Sequence, residues 1–485
     1  MSMHALNGKK SAGIVAMVAV GASLAAFMGA APAPAPAAAS SFPGDGKGGF
    51  ATGKYRNMFA EVLGKTEAET HAKVQKAYNQ LFHGDLHKEA LFIPAGKNDN
   101  GPLAYIPDVQ RTDVRSEGMS YGMMIAVQMD KKEDFDALWN WSRTYMYHAD
   151  PKHPTYGYFS WEMNYDGTAI SEGAAPDGEE YYAMALLFAA NRWPGGKGIY
   201  DYKQEGNTLL HNMVHRELIT GPTRAAGRKI ASPRIPADPY EMGTIIVKPD
   251  DPGATAPGAG RGRGGGGGGR PATTGKEVSV EHNMILFVPD NGRNGFTDPS
   301  YHLPAFYELW ARWGPEEDRA FWAKAADVSR DFFVKTANPQ TGLMPNYANF
   351  DGTPNQGARD FKEDAWRCAM NMAADWSWFA KDPRQQELCD RLQKFFESKG
   401  IEKYDDNWSL DGNSLRNRHS PGLVATNGFA SLAATDVERR KKFAQALWDA
   451  EVPSSLVFRY YDGLLYMMCV MHGSGEFRVI MPKGT

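Results

Sequence analysis

Cysteine is scarce: Cys368, Cys389 and Cys469 are the whole complement of a 485-residue chain. Three is too few, and an odd number, for a disulfide framework, so they are expected as core residues. A dominant charge is lacking too. The 53 Lys and Arg against 57 Asp and Glu leave a formal charge of −4, and no block of like charges stands out. Nothing therefore offers the electrostatic footprint of a nucleic-acid partner. No HExxH or clustered Cys/His pattern occurs, so no metal or other cofactor is expected. His148 and His153 in "HADPKH" read as loop residues. Strand signals are short and few, as in "TIIVK" and "MILFV", which leaves little from which to build a large sheet.

Aromatic residues are abundant instead. Twelve Trp and twenty-one Tyr are more than packing usually asks for, and they raise the prospect of a flat, partly apolar ligand. At the N-terminus, Lys9 and Lys10 precede "SAGIVAMVAVGASLAAFMG" and then small residues suited to cleavage. This predicts a secretory signal peptide over residues 1–39, with an uncleaved anchor as the alternative. Losing the two lysines takes the charge from −4 to −6. The expected mature chain, 40–485, is a single domain, secreted or periplasmic, with no membrane segment after cleavage. Residues 249–276, rich in Gly, Pro and Ala, lack the apolar content to pack and are expected to form a flexible insertion. Its GxG pattern has no preceding strand, following helix or closing GK[ST], so it does not read as a phosphate loop.

Elsewhere the apolar spacing predicts about a dozen helices, among them 53–63, 117–130, 133–147, 178–191, 300–313, 361–380 and 424–432. No fixed-length repeat accompanies them. Helical hairpins without a solenoid repeat suit a closed double ring, an all-α toroid. Three of the helix starts carry a carboxylate. Glu117 opens "RSEGMSYGMM", where Ser116 reads as an N-cap. Gly118 and Gly122 cost helix stability and are expected to leave space beside the acid. Met119, Met123 and Met124 supply apolar surroundings that would keep the carboxyl protonated. Asp177 in "APDGEEYYAMAL" forms, with Glu180, the pattern of a capping box. Asp364 in "EDAWRCAM" has Arg367 one turn on, which would favour its ionised form. Oppositely tuned carboxyls are what glycoside hydrolysis uses. Asp298 followed by Pro299 reads as an N-cap and a first-turn proline, while Tyr301 could face the same end as the acids.

Taken together and in order, "SEGMSYGMM", "APDGEEYYAMAL", "TDPSYHLPAFYELW", "DAWR" and "HSPGL" resemble glycoside hydrolase family 8, most closely its reducing-end xylose-releasing exo-oligoxylanases. The similarity runs from about residue 50 to the C-terminus. It implies an (α/α)6 barrel whose inner helices aim their N-termini at the cleft, an inverting mechanism and β-1,4-xylo-oligosaccharide substrates. By the resemblance, Glu117 is the general acid and Asp364 the general base. Tyr301 and Arg367 hold the attacking water, Asp177 grips the sugar of subsite −1, and Trp161 in "GYFSWEMNYDG" stacks on that sugar. Arg418, His419 and Ser420 in "RHSPG" match the short loop that blocks the cleft and binds the reducing end. Arg418 brings a charge to that loop, and Pro176 stands where Ser or Thr is usual; both depart from the pattern. A monomer is expected. The alternatives are an endo-acting family 8 glycanase on xylan, cellulose or chitosan, a polysaccharide lyase on a similar toroid, and a non-catalytic sugar-binding protein.

Overall fold

The computed structural model describes residues 47–86, 88–223, 271–454 and 458–483. The expected signal peptide, "TIIVK" and residues 249–270 of the low-complexity segment lie outside these. Twelve helices carry the architecture: α1 (Glu67–His83), α2 (Ser116–Gln128), α3 (Lys132–Trp141), α4 (Pro176–Arg192), α5 (Tyr202–His215), α6 (Pro304–Trp313), α7 (Arg319–Thr336), α8 (Arg367–Phe379), α9 (Arg384–Lys399), α10 (Pro421–Phe429), α11 (Val437–Asp449) and α12 (Arg459–Gly473). Two shorter helices, Gly49–Thr52 and Met58–Leu63, precede α1.

Even-numbered helices form the inner ring and odd-numbered ones the outer ring of an (α/α)6 barrel. The burial of each helix explains its place. In α2 every residue except Glu117 is buried, and in α12 every residue except Tyr461. A helix covered on all sides belongs inside. By contrast α1 buries a single stripe, Thr70, Val74, Ala77, Tyr78, Leu81 and Phe82, at the spacing of one helical face. Each inner helix packs on an outer neighbour, α2 on α3, α4 on α5, α6 on α7, α8 on α9 and α10 on α11. The sixth pair is α12 on α1, so the first helix covers the last and closes the outer ring. Inside, α12, α2 and α4 are neighbours in turn, as are α6, α8 and α10, and α10 meets α12. The ring is completed between α4 and α6 by Tyr181 on Phe306, with centroids 5.1 Å apart. There the Tyr307 hydroxyl also donates to Glu180 Oε1 at 2.5 Å.

Several boundaries depart from the apolar spacing for local reasons. The helix expected over 53–63 begins only at Met58, because Gly53 ends the previous turn at φ 67° and Asn57 caps the new one by accepting from Ala60 N. The stretch 300–313 is split into a 3-10 turn, Pro299–Tyr301, and α6. Pro304 disfavours helical geometry at Leu303, which sits at φ −119°, ψ 65° after an extended His302. The range 133–147 stops being α-helical at Trp141 and continues as a π turn, Ser142–Met146. Helix α10 starts at Pro421, ahead of the expected 424, since Ser420 Oγ accepts from Leu423 N and proline suits the first turn. "MILFV" supplies only Met284–Ile285, paired with Val278–Ser279.

Short antiparallel strands line the end of the barrel where the inner helices begin. A four-stranded sheet joins Pro107–Asp108, Asp113–Arg115, Glu162–Met163 and Ala169–Ser171 in that order. It delivers the chain into α2, with Ser116 N donating to Trp161 O at 3.2 Å. The described residues resume at Pro271, inside the range 249–276 expected to be flexible. Pro271–Thr274 pairs antiparallel with Ile219–Pro222, and Arg216 Nη1 donates to Gly275 O at 3.1 Å. Cys368, Cys389 and Cys469 are all free and buried, as expected. Among the described residues no helix is long and apolar enough to cross a membrane.

Candidate active site

Four inner-helix starts converge on one side chain, and a fifth joins them through Glu117. Arg367, the first residue of α8, is 2% exposed. Its Nη1 donates to Glu117 Oε2 at 2.9 Å, to Asp177 Oδ2 at 2.9 Å and to Tyr121 OH at 2.7 Å. Its Nη2 donates to Ser300 Oγ at 2.8 Å and lies 3.5 Å from Asp364 Oδ1. Glu117 sits in the first turn of α2 and Asp177 in that of α4. Ser300 belongs to the turn before α6, and Asp364 to the 3-10 turn Glu363–Trp366 that leads into α8. From the start of α12, Tyr460 OH donates to Glu117 Oε1 at 2.9 Å. Helix N-termini favour negative charge, so Glu117 and Asp177 gain from the first turns that carry them as well as from the shared guanidinium.

The local reasons differ from those the sequence suggests. Ser116 is not the N-cap of α2: that position is Arg115, with no side-chain cap bond. Asp177 and Glu180 make no capping box. Asp177 Oδ1 accepts from Gly178 N at 2.9 Å, its Oδ2 is taken by Arg367, and Glu180 is bonded to Tyr307. Nor does Gly118 leave space beside the acid. A Cβ there would lie 2.4 Å from Tyr460 Cε2, so the glycine admits the tyrosine that holds Glu117; at Gly122 a Cβ would meet Leu138 and Ile106. Asp298 does cap, through Oδ1 accepting from Ser300 N at 2.7 Å, but of a 3-10 turn.

Burial pushes the Glu117 carboxyl up from its usual range to about 7, with Arg367 opposing and the charges of Asp177 and Asp364 adding to the rise. Asp364 differs from expectation: burial raises it as well, and Arg367, its strongest counterweight, reduces the rise without reversing it. The two carboxyls are therefore not tuned in opposite directions. They are separated by exposure and partners. Glu117 is 14% exposed and bonded on both oxygens, whereas Asp364 is 31% exposed. Asn346 Nδ2 donates to Asp364 Oδ2 at 3.2 Å while Asn346 Oδ1 accepts from Lys362 N and Ala365 N, so the amide fixes the acid to its own turn. One carboxyl that holds a proton near neutrality thus stands across a guanidinium from a second that opens to water.

Tyr301 is buried, its ring centroid 5.5 Å from the Arg367 guanidinium carbon. Trp161 is half-buried beneath the Arg115 guanidinium at 5.4 Å, and its backbone is tied to Ser116, next to Glu117. Arg115 itself is held by Asp113 and Asp108. The "RHSPG" residues reach the cluster only indirectly. Arg418 is paired with Asp406 and Asp462, so its charge is already answered, and Ser420 Oγ donates to the same Asp462, two residues from Tyr460. His419 is exposed, and its Nδ1 bonds Tyr404 O at 2.8 Å. A carbonyl only accepts, so Nδ1 carries the hydrogen and Nε2 of the neutral ring is an acceptor. His419 borders a groove of about 930 Å³ with Ile401, Pro421, Val424 and Val452, a groove that contains none of the Arg367 cluster. Tyr121, Ser300, Asn346 and Tyr460 escape a reading of the sequence. Tyr121 alone left a trace, at i+4 from Glu117 on the same helical face. Asn346 and Tyr460 are brought in from remote segments.

A sequence profile of the family described as Glycosyl hydrolases family 8 matches residues 104–230 and 286–475. The reducing-end xylose-releasing exo-oligoxylanase Rex8A of Paenibacillus barcinonensis is 38% identical over 441 residues, 90% of this chain and 99% of that protein. Among solved structures, a GH8 xylobiose complex from Teredinibacter turnerae superposes with a TM-score of 0.78 at 45% identity, covering 90% of this chain and 100% of the other. A catalytic mutant xylohexaose complex of a GH8 xylanase from the same organism gives the same figures.

Proposed function

The chain belongs to glycosyl hydrolase family 8, and from that we propose that it releases xylose from the reducing end of β-1,4-xylo-oligosaccharides with inversion. The observation that carries this reading is the Arg367 fork, which holds Glu117 on one nitrogen and Asp364 on the other. A guanidinium's width between the acids favours room for a water, and inversion calls for carboxyls about 6.5–9.5 Å apart. Glu117 protonates the glycosidic oxygen as the bond to the leaving xylose lengthens. Asp364 takes a proton from water attacking the anomeric carbon from the opposite face. Arg367 and Tyr301 hold that water, Asp177 bonds the hydroxyls of the sugar in subsite −1, and Trp161 offers it an apolar face. His419 Nε2 accepts from the reducing-end hydroxyl, with Arg418 and Ser420 bracing its loop. The similarity to Rex8A supports exo action. The enzyme works as a monomer beyond the cytoplasmic membrane, after loss of residues 1–39.

A second reading has its own support. Identity to the Teredinibacter xylanase, 45%, exceeds the 38% to Rex8A, and that xylanase is seen with xylohexaose. An endo-acting enzyme would keep Glu117 and Asp364 and leave the cleft open past His419. Time-resolved hydrolysis of xylotriose and of its xylitol-ended form, with the new anomer recorded by NMR, separates the two. Exo action predicts xylose plus α-configured xylobiose from the first and no cleavage of the second. Equal cleavage of both substrates would remove the exo assignment, and a β-configured first product would remove the inverting one.

A further inference from the structure

On the outer ring, a second group of titratable side chains shares no residue with the Arg367 cluster. His211 and His215 lie one turn apart on α5, their rings stacked with centroids 4.5 Å apart. Facing them is the turn Glu316–Asp318 that opens α7. His215 Nε2 bonds Asp318 Oδ1. His211 Nδ1 is 3.4 Å from Glu317 Oε1 and 3.9 Å from Asp318 Oδ2.

The burial of this group is uneven in an informative way. The histidines are 50% and 42% exposed, yet Asp318 is 1% exposed and its Oδ2 is buried with no hydrogen-bond partner. A simple His–Asp ion pair accounts for Oδ1 alone. It leaves the second oxygen aimed at His211 over a distance too long for a hydrogen bond. An unsatisfied buried carboxylate oxygen is costly, and a coordinated cation would satisfy it.

We propose that His211, His215 and Asp318 bind one divalent transition-metal cation of the zinc class, with Glu317 or a water in the fourth position. The three ligand atoms already lie within 4.8 Å of one another. A tetrahedral ion with bonds of about 2.0–2.1 Å keeps its ligands about 3.4 Å apart, so small rotations of the exposed imidazoles complete the site. Two imidazoles with a carboxylate select zinc, nickel or copper over calcium and magnesium, which prefer all-oxygen sites. The site also has a place in the fold. It ties the end of α5 to the start of α7, across the long connection that separates α5 from α6, so the ion acts as a clip closing that excursion.

The test uses the full-length, tag-free protein, stripped with chelator and titrated with zinc chloride by calorimetry, beside His211→Ala and His215→Ala. One zinc per chain is expected, with affinity at least tenfold weaker in each variant. Zinc should raise the wild-type melting temperature by several degrees and leave the variants unmoved. Cobalt should give visible d–d absorption in the wild type that both variants lose. Both histidines lie outside the Arg367 cluster, so metal-free hydrolysis by the variants should match wild type; without metal His211→Ala should melt as wild type does, and His215→Ala lower, because Asp318 Oδ1 loses its partner. Zinc bound with equal affinity by all three proteins, or less than one zinc per chain in the wild type, overturns the proposal.

Discussion

Glu117 is pulled in two directions: burial and the charges of Asp177 and Asp364 favour its neutral form, and Arg367 favours its anion. Burial wins, and the consequence for activity has a definite sign. As the proposed general acid, Glu117 must carry its proton, so kcat/KM is expected to fall as pH rises through about 7, and a pH profile on xylotriose checks both the role and the shift. On the proposed assignment of Asp364 as base, the fall at the acidic side is expected to be its own, since a base must be ionised to act. The consequence for stability has the opposite bookkeeping. An acid whose folded pKa lies above its unfolded value destabilises the fold progressively as pH rises from about 4.5 to about 7. In Glu117→Gln this penalty is absent. The variant should therefore melt increasingly above wild type across that window, by up to about 3 kcal/mol at its top, while losing about 10²–10⁴ in turnover. A melting difference independent of pH would contradict the raised pKa.

At the scale of single elements, the inner helices meet at glycines, and these contacts aim the functional groups. Gly118 of α2 receives Tyr460 of α12, and Gly178 of α4 receives Ser116, where an added Cβ would lie 2.5 Å from Oγ. Gly118→Ala would favour the isolated helix slightly, since alanine is the better helix former. Overpacking outweighs that, at about 1–3 kcal/mol, because the Tyr460 ring must leave. Its hydroxyl then no longer holds Glu117 Oε1, so the expected outcome is a lowered melting temperature together with lost turnover; a variant as stable and active as wild type would show that Tyr460 has no positioning role. The interior acids follow the same logic of shared partners. Arg330 bonds Asp375 with two nitrogens and Glu308 with a third, bracing α6, α7 and α8 below the site without entering it.

For the whole molecule, the long connection between α5 and α6 offers a clean dissection. Its low-complexity core lacks the residues to pack, whereas Pro271–Thr274 pairs with Ile219–Pro222 and Gly275 O accepts from the buried Arg216. Excision of residues 249–270 is expected to leave turnover within about twofold, since their Gly-, Pro- and Ala-rich composition offers little with which to pack. Extending the deletion through Lys276 removes a strand and a buried acceptor. The melting temperature should then fall measurably, by an amount corresponding to about 1–3 kcal/mol. Equal behaviour of the two deletions would show that the strand pair contributes nothing.

The sequence by itself determined the class of the fold and the identity of the central acids. Apolar spacing of 3.6 residues marks a buried face wherever it occurs, so about a dozen helices were legible, and carboxylates placed at their starts announced Glu117, Asp177 and Asp364. Local rules also found Asp298 as a cap and the three buried cysteines. What they got wrong is what depends on neighbours in space. Ser116 as a cap, Asp177 with Glu180 as a box, and Gly118 as open room are each sound local patterns, overridden because Arg367, Tyr307 and Tyr460 arrive from other helices. The tertiary structure alone decided that Arg367 serves three carboxyls, that burial raises both Glu117 and Asp364, and that Asp318 lies against His211 and His215. Spacing along a chain reports which residues share a face. Desolvation and charge depend on every atom within a few ångströms, and here those atoms come from segments up to several hundred residues apart.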